Sequence, residues 1–130
     1  MPHNVLIVED QPGWAALVQS ALRNGKLPAC EISAAQDYDE AVRLVREKRF
    51  EIALCDYTLA PAGTQGAKTG LDVARELRAA SPEAAIFLVT MADPERLQSR
   101  CDELGVTLIE KGRGDLEETV LREVRDALTQ

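Results

Sequence analysis

The chain has 130 residues, 45% hydrophobic and 28% charged, and its 15 basic against 22 acidic residues leave a net charge of -7. One domain, 1–130, is expected, because a chain of this size buries about 68–70% of its extended surface and needs no disulfide or metal staple. Collagen-like, coiled-coil and disordered classes are excluded. No apolar run approaches the roughly 20 residues of a membrane span, and the acidic balance with 4% aromatic residues argues against a nucleic-acid-binding face.

In chain order, Met1-Pro2-His3-Asn4 runs straight into a strand-like segment and leaves no room for a signal peptide. His3 reads as a loose terminal residue and not a ligand. The first apolar run, Val5–Val8, is continuous, which predicts a strand buried on both faces, and it ends in Glu9-Asp10. Trp14, Leu17, Val18, Ala21 and Leu22 then follow helical spacing. Pro12 suits the first turn, Gly25 suits the stop, and Trp14 reads as a packing residue. Cys30–Ala34 is a weaker run, ending in Ala35-Gln36, and suits a sheet edge. Tyr38, Ala41, Val42 and Val45 form the next helical stripe, with Asp37 as its cap.

Ile52–Cys55 is the second continuous run and ends in Asp56. A long Pro/Gly-containing segment, Thr58 to Thr69, reads as a loop, and its Lys68 as solvated. Val73, Ala74, Leu77 and Ala80 give a third helix. Ala85–Val89 is continuous and ends in Thr90. Asp93-Pro94 opens a fourth helix with Leu97, Cys101 and Leu104. Thr107–Ile109 is a second edge-type run and ends in Glu110-Lys111. Asp115 and Glu118 have capping-box spacing and open a fifth helix with Leu116, Val120, Val124 and Leu128. Five βα units with short connections predict a parallel sheet covered by helices on both faces.

Cys30, Cys55 and Cys101 form no CxxC pair, and one histidine cannot complete a zinc site with them. They read as reduced thiols of a cytoplasmic protein, with Cys55 a core residue rather than a redox sensor.

Ligands of open α/β sheets bind beyond the carboxyl ends of the strands. Glu9, Asp10, Asp56, Thr90 and Lys111 all follow strand ends, so one rim carries three acids, a hydroxyl and a lysine. Unit charges 4 Å apart repel by about 4 kcal/mol at an effective dielectric of 20. Converging unpaired acids therefore call for raised pKa values or a cation. Hard oxygen donors suit Mg²⁺, which takes one or two carboxylates and keeps waters. A lysine and a threonine hydroxyl supply charge and a donor for a phosphoryl group.

The motifs Val5-Leu6-Ile7-Val8-Glu9-Asp10, Ile52-Ala53-Leu54-Cys55-Asp56, Gly70-Leu71-Asp72-Val73, Leu88-Val89-Thr90 and Ile109-Glu110-Lys111 stand in one order across the chain. In this the sequence resembles the receiver domains of bacterial two-component response regulators, the CheY-like superfamily. The resemblance implies a flavodoxin-like (βα)5 doubly wound parallel sheet with strand order 2-1-3-4-5. It implies that Asp56 accepts a phosphoryl group from a sensor histidine kinase or a histidine phosphotransfer protein. Asp10, Asp56 and the Thr58 backbone carbonyl would hold Mg²⁺, with Glu9 acting through water. Lys111 and Thr90 would contact the phosphoryl oxygens. The domain would be no enzyme in the ordinary sense, although it would assist hydrolysis of its own acyl phosphate. Only Thr129-Gln130 follow the last helix, so output is expected through contact with a downstream protein, with neither nucleic acid nor membrane bound by this domain.

Four features depart from the family pattern. Gly112 replaces the usual proline after Lys111, and a cis bond before a non-proline residue costs about 2.5–4 kcal/mol, so Lys111 is expected to be held less rigidly. Met91 replaces a small residue and is expected to crowd the phosphoryl site. Leu108 stands where a switching aromatic is usual. The Thr58–Thr69 loop is longer than usual and is expected to form a partner surface or a partial cover. These departures leave room for a phosphorylation-independent adaptor. A phosphatase with an aspartyl nucleophile is disfavoured by Thr58, where a general acid is usual. A nucleotide or flavin site is disfavoured by the lack of a glycine-rich loop after Val8.

Overall fold

The continuous apolar runs form the middle of a five-stranded parallel sheet, in a computed structural model that describes residues 3–11, 13–61, 63–91, 94–111 and 114–129. The strands are β1 (His3–Val8), β2 (Cys30–Ala35), β3 (Ile52–Asp56), β4 (Ala85–Thr90) and β5 (Val106–Glu110). The helices are α1 (Gly13–Arg23), α2 (Tyr38–Glu47), α3 (Gly70–Ala80), α4 (Pro94–Leu104) and α5 (Leu116–Leu128). The strand order is β2-β1-β3-β4-β5, the flavodoxin-like order expected. β1, β3 and β4 are continuous in sequence because both their faces are covered. Leu6, Val8, Ala53, Cys55, Ile86 and Leu88 pack against α2, α3 and α4. Val5, Ile7, Ile52, Leu54, Phe87 and Val89 pack against α1 and α5. Alternate residues of one strand thus feed two separate core layers. The edge strands β2 and β5 are only partly buried, as their weaker runs imply.

Local chemistry sets the helix ends. Asp37 caps α2, accepting the Glu40 N–H at 2.8 Å. Asp115 caps α5 and accepts the Glu118 N–H at 3.1 Å, the forward bond of the expected capping box. Gly25, at φ +71°, ends α1. The Lys26 N–H reaches the Ala21 carbonyl and the Gly25 N–H the Leu22 carbonyl, which is a Schellman closure. Sequence reading missed the cap of α3: Thr69 accepts the Leu71 N–H, and Asp72 accepts the Thr69 N–H at 2.8 Å, in a full capping box.

One expectation is corrected. His3 is no loose terminal residue: it opens β1 opposite Cys30, and its Nδ1 pairs with the Glu51 carboxylate. β3 and β4 end on Asp56 and Thr90 themselves, which stand in register with Val89 and Glu110. Lys68 is exposed, as expected, and its ammonium also lies 5.5 Å from the centroid of the Tyr38 ring. Pro12 and Asp93, expected at the starts of α1 and α4, lie outside the described residues. Among the described residues no helix is long and apolar enough to cross a membrane.

Candidate functional site: an acid pocket at the carboxyl rim

The strand order reverses between β1 and β3, and the carboxyl ends of these strands open on a crevice where such sheets bind ligands. A cavity of about 690 Å³ lies there. Its walls include Glu9 and Asp10 from the end of β1, Asp56 from the end of β3, Thr58 from the following loop, and Lys111 from the end of β5. Five of the six residues expected to act together therefore share one pocket. The sixth, Thr90, is 2% exposed at the end of β4. It joins the site through the backbone, its carbonyl accepting the Lys111 N–H at 2.9 Å.

Asp56 is 9% exposed, and Lys111 Nζ lies 2.9 Å from its Oδ1. The lysine thus neutralises the buried carboxylate from inside the chain. Two further backbone contacts fix the position of Asp56. The Tyr57 N–H donates to the Val89 carbonyl at 2.9 Å, and the Gly70 N–H donates to the Tyr57 carbonyl at 2.9 Å. Gly70 lies so close that a Cβ there would stand 2.1 Å from the Asp56 carbonyl oxygen. Only glycine allows α3 to start directly against the backbone of Asp56.

Glu9 is 6% exposed, and its Oε1 accepts the Ala15 N–H at 3.0 Å. Burial raises its pKa above the ordinary 4.5; the Ala15 and Trp14 N–H groups pull it down, nearby Asp56 raises it further, and Lys111 lowers it. The expected repulsion among converging acids is thus partly relieved within the chain, by one lysine and by the amides of α1. Asp10, by contrast, is exposed.

Trp14, read as a packing residue, does two things: it packs against the core layer between the sheet and α1/α5, and it lines the pocket. Glu117 of α5 also lines the pocket. Sequence reading missed it, because nothing in the first turn of α5 marks it apart from the other acids there. Met91 does not crowd the site: its side chain is 76% exposed. Leu108 is half-buried against the core layer that includes α4. Cys55 is wholly buried, and burial with neighbouring Asp56 pushes its thiol to about 12, which fits the packing reading. Gly112 lies outside the described residues, and among those described no peptide bond is cis.

Among the described residues, no group of three or more His, Cys, Asp or Glu side chains is gathered as for a metal. Glu9 being turned toward α1, the donors left for a cation are the Asp10 and Asp56 carboxylates and the Thr58 carbonyl. That set fits Mg²⁺, which binds through one or two carboxylates and keeps several waters.

The described residues of the Thr58–Thr69 segment make several local contacts. Its neck is closed by the Gly70–Tyr57 bond, Leu59 is buried, and Thr64 donates from both backbone and hydroxyl to the Pro61 carbonyl. Gly63 and Gly66 take the positive φ values that the turns require.

The family model of the response regulator receiver domain matches residues 5–114. A curated relative, the probable transcriptional regulatory protein TcrX of Mycobacterium tuberculosis, is 32% identical over 92 residues, 71% of this chain and 36% of the relative. The chain thus spans about a third of that relative's length. Among solved structures, a CheY-like receiver domain protein from Methanospirillum hungatei superposes with a TM-score of 0.78 at 18% identity, over 99% of this chain and 95% of that one. A response regulator from Burkholderia pseudomallei, solved with a phosphorylated aspartic acid, a calcium ion and citrate, gives 0.73 at 22% identity, over 98% of this chain and 69% of that one. The motifs at all five site-bearing positions fall within the matched span, and the fold agrees throughout: the chain belongs to the response regulator receiver domains of two-component systems.

Proposed function

We propose that Asp56 is the phosphoacceptor of a two-component phosphorelay. The observation that carries this reading is the pairing of the nearly buried Asp56 carboxylate with Lys111 Nζ at 2.9 Å, in a pocket that also holds Asp10 and Thr58. A carboxylate whose neighbouring backbone is tied by two hydrogen bonds and which lines a cavity suits in-line attack. An Asp56 oxygen forms the bond to phosphorus, the N–P bond of a partner's phosphohistidine breaks, and the leaving imidazole nitrogen takes up a proton. Lys111 pairs with the phosphoryl oxygens once they arrive, and the Thr90 hydroxyl donates to them. Asp10, Asp56 and the Thr58 carbonyl, with Glu9 assisting through water, would hold Mg²⁺, which when bound would neutralise charge on the phosphoryl oxygens. The same residues assist hydrolysis of the aspartyl phosphate. The phosphodonor is a sensor histidine kinase or a histidine phosphotransfer protein, and the receiver switches contacts with a downstream protein. Residues 1–130 act in this reading as a single receiver domain in the cytoplasm. The phosphorylated aspartic acid in the Burkholderia pseudomallei relative supports the chemistry by likeness.

Incubation with a small phosphodonor and Mg²⁺, followed by intact mass, tests the reading. The wild type gains one acid-labile phosphoryl group and Asp56→Asn gains none. An unchanged wild-type mass favours the phosphorylation-independent adaptor instead.

A further inference from the structure

The amides at the start of a helix lack partners within it, and a side-chain oxygen just before the helix normally serves them. In α1 this local solution is missing. The residue preceding Gly13 is Pro12, a type with no side-chain acceptor. The acceptor comes instead from outside the helix: Glu9, one residue past the end of β1, turns its carboxylate onto the first turn of α1. Its Oε1 takes the Ala15 N–H at 3.0 Å, the Trp14 N–H also favours its charge, and a Cβ at Gly13 would lie 4.0 Å from its Oε2. At 6% exposure this carboxylate is enclosed on the helix side. The segment it closes, Glu9 to Ala15, contains Asp10 and Trp14, both of which line the acid pocket.

We infer that Glu9 is a positioning residue: it caps α1 from the end of β1 and so holds Asp10 and Trp14 at the pocket wall. Its main contribution to the pocket is then the acceptor oxygen at the end of a three-carbon reach, and its charge is secondary. This sets it apart from Asp10, whose exposed carboxylate acts through its charge. The cap rests on the geometry of α1 alone; only its consequence for the cation rests on the proposed phosphoacceptor site.

Two conservative variants separate reach from charge. Glu9→Gln keeps the length and the acceptor and removes the charge; Glu9→Asp keeps the charge and shortens the reach by one methylene. Amide exchange at Trp14 and Ala15, followed by NMR in metal-free protein, reads the cap. Exchange in Glu9→Gln stays within about threefold of wild type, and in Glu9→Asp it is faster by about tenfold. Mg²⁺ titration followed by Trp14 emission reads the consequence: Asp10→Asn weakens binding by at least about tenfold, and Glu9→Gln weakens it clearly less. The opposite order in exchange, or equal protection in both variants, overturns the inference. So does a Glu9→Gln variant that loses as much Mg²⁺ affinity as Asp10→Asn. A wild type that binds no Mg²⁺ overturns the cation part of the proposed site, and the exchange comparison then still decides the cap.

Discussion

At Gly70 a single hydrogen decides whether α3 can begin where it does. A Cβ there would meet the Asp56 carbonyl oxygen at 2.1 Å and Leu88 Cδ1 at 3.0 Å. The first of these is backbone and has little room to yield. Gly70→Ala is therefore expected to lower stability by about 2 kcal/mol, read as a lower urea midpoint, with the largest amide shifts at Asp56 and Tyr57. A variant as stable as wild type contradicts the close approach. Glu9 brings a pH dependence of its own. Its folded pKa lies above the ordinary 4.5, chiefly through burial, so the folded chain holds that proton more tightly than the unfolded chain. This contribution stabilises the fold below pH 4.5 and is lost as the pH rises through the raised folded value. In metal-free protein, the stability of Glu9→Gln relative to wild type should therefore improve between about pH 4 and about pH 7. Urea midpoints at the two pH values check this, and a difference that moves the other way contradicts it.

At the scale of elements, Arg78 on α3 ties several backbone segments together with one side chain. Its Nε donates to the Leu104 carbonyl at 2.7 Å and its Nη2 to the Gly105 carbonyl at 2.9 Å. Its Nη1 donates to the Pro82 and Ala84 carbonyls at 2.9 and 2.7 Å. One guanidinium thus ties the end of α4, the turn before β5 and the lead into β4, giving four backbone acceptors a charged donor. Arg78→Ala is expected to destabilise by about 3 kcal/mol, because hydrogen bonds to charged groups contribute about 1.5–3 kcal/mol each and some of these are partly exposed. Arg78→Lys should recover little, since an ammonium lacks the planar fork. Thermal unfolding of both variants reads the result, and a lysine variant equal to wild type contradicts it.

At the scale of the whole molecule, both core layers carry thiols. Cys55 and Cys101 lie in the layer beneath α2, α3 and α4, and Cys30 lies in the other. All three are buried and free, and burial raises each thiol. Their modification in native buffer should therefore follow the rate of global unfolding and rise together with urea. Selective labelling of Cys55 in the folded protein contradicts its packing role. The two-layer core was legible from Val5–Val8, Ile52–Cys55 and Ala85–Val89, because strands covered on both faces leave no polar alternation. The rim position of Asp56 was legible because it directly follows such a run, and those of Asp10 and Lys111 because each stands two places after a run, Val5–Val8 and the weaker Thr107–Ile109. Arg78 was not, because its acceptors lie up to 27 positions away and are backbone carbonyls, which every residue carries. The α1 cap was not, because its oxygen comes from the end of a strand rather than from the position before the helix. Met91 was misread because the pattern gives its place in the chain but not the direction of its side chain.

The central claim, that Asp56 is the residue modified, is tested most directly by borohydride trapping. Reduction of an aspartyl phosphate leaves homoserine at the modified position, and peptide mapping then finds it. After treatment with a small phosphodonor and Mg²⁺, homoserine is expected at position 56 and nowhere else. Homoserine at position 10 or at another aspartate, or none despite a gain in mass, would contradict the account.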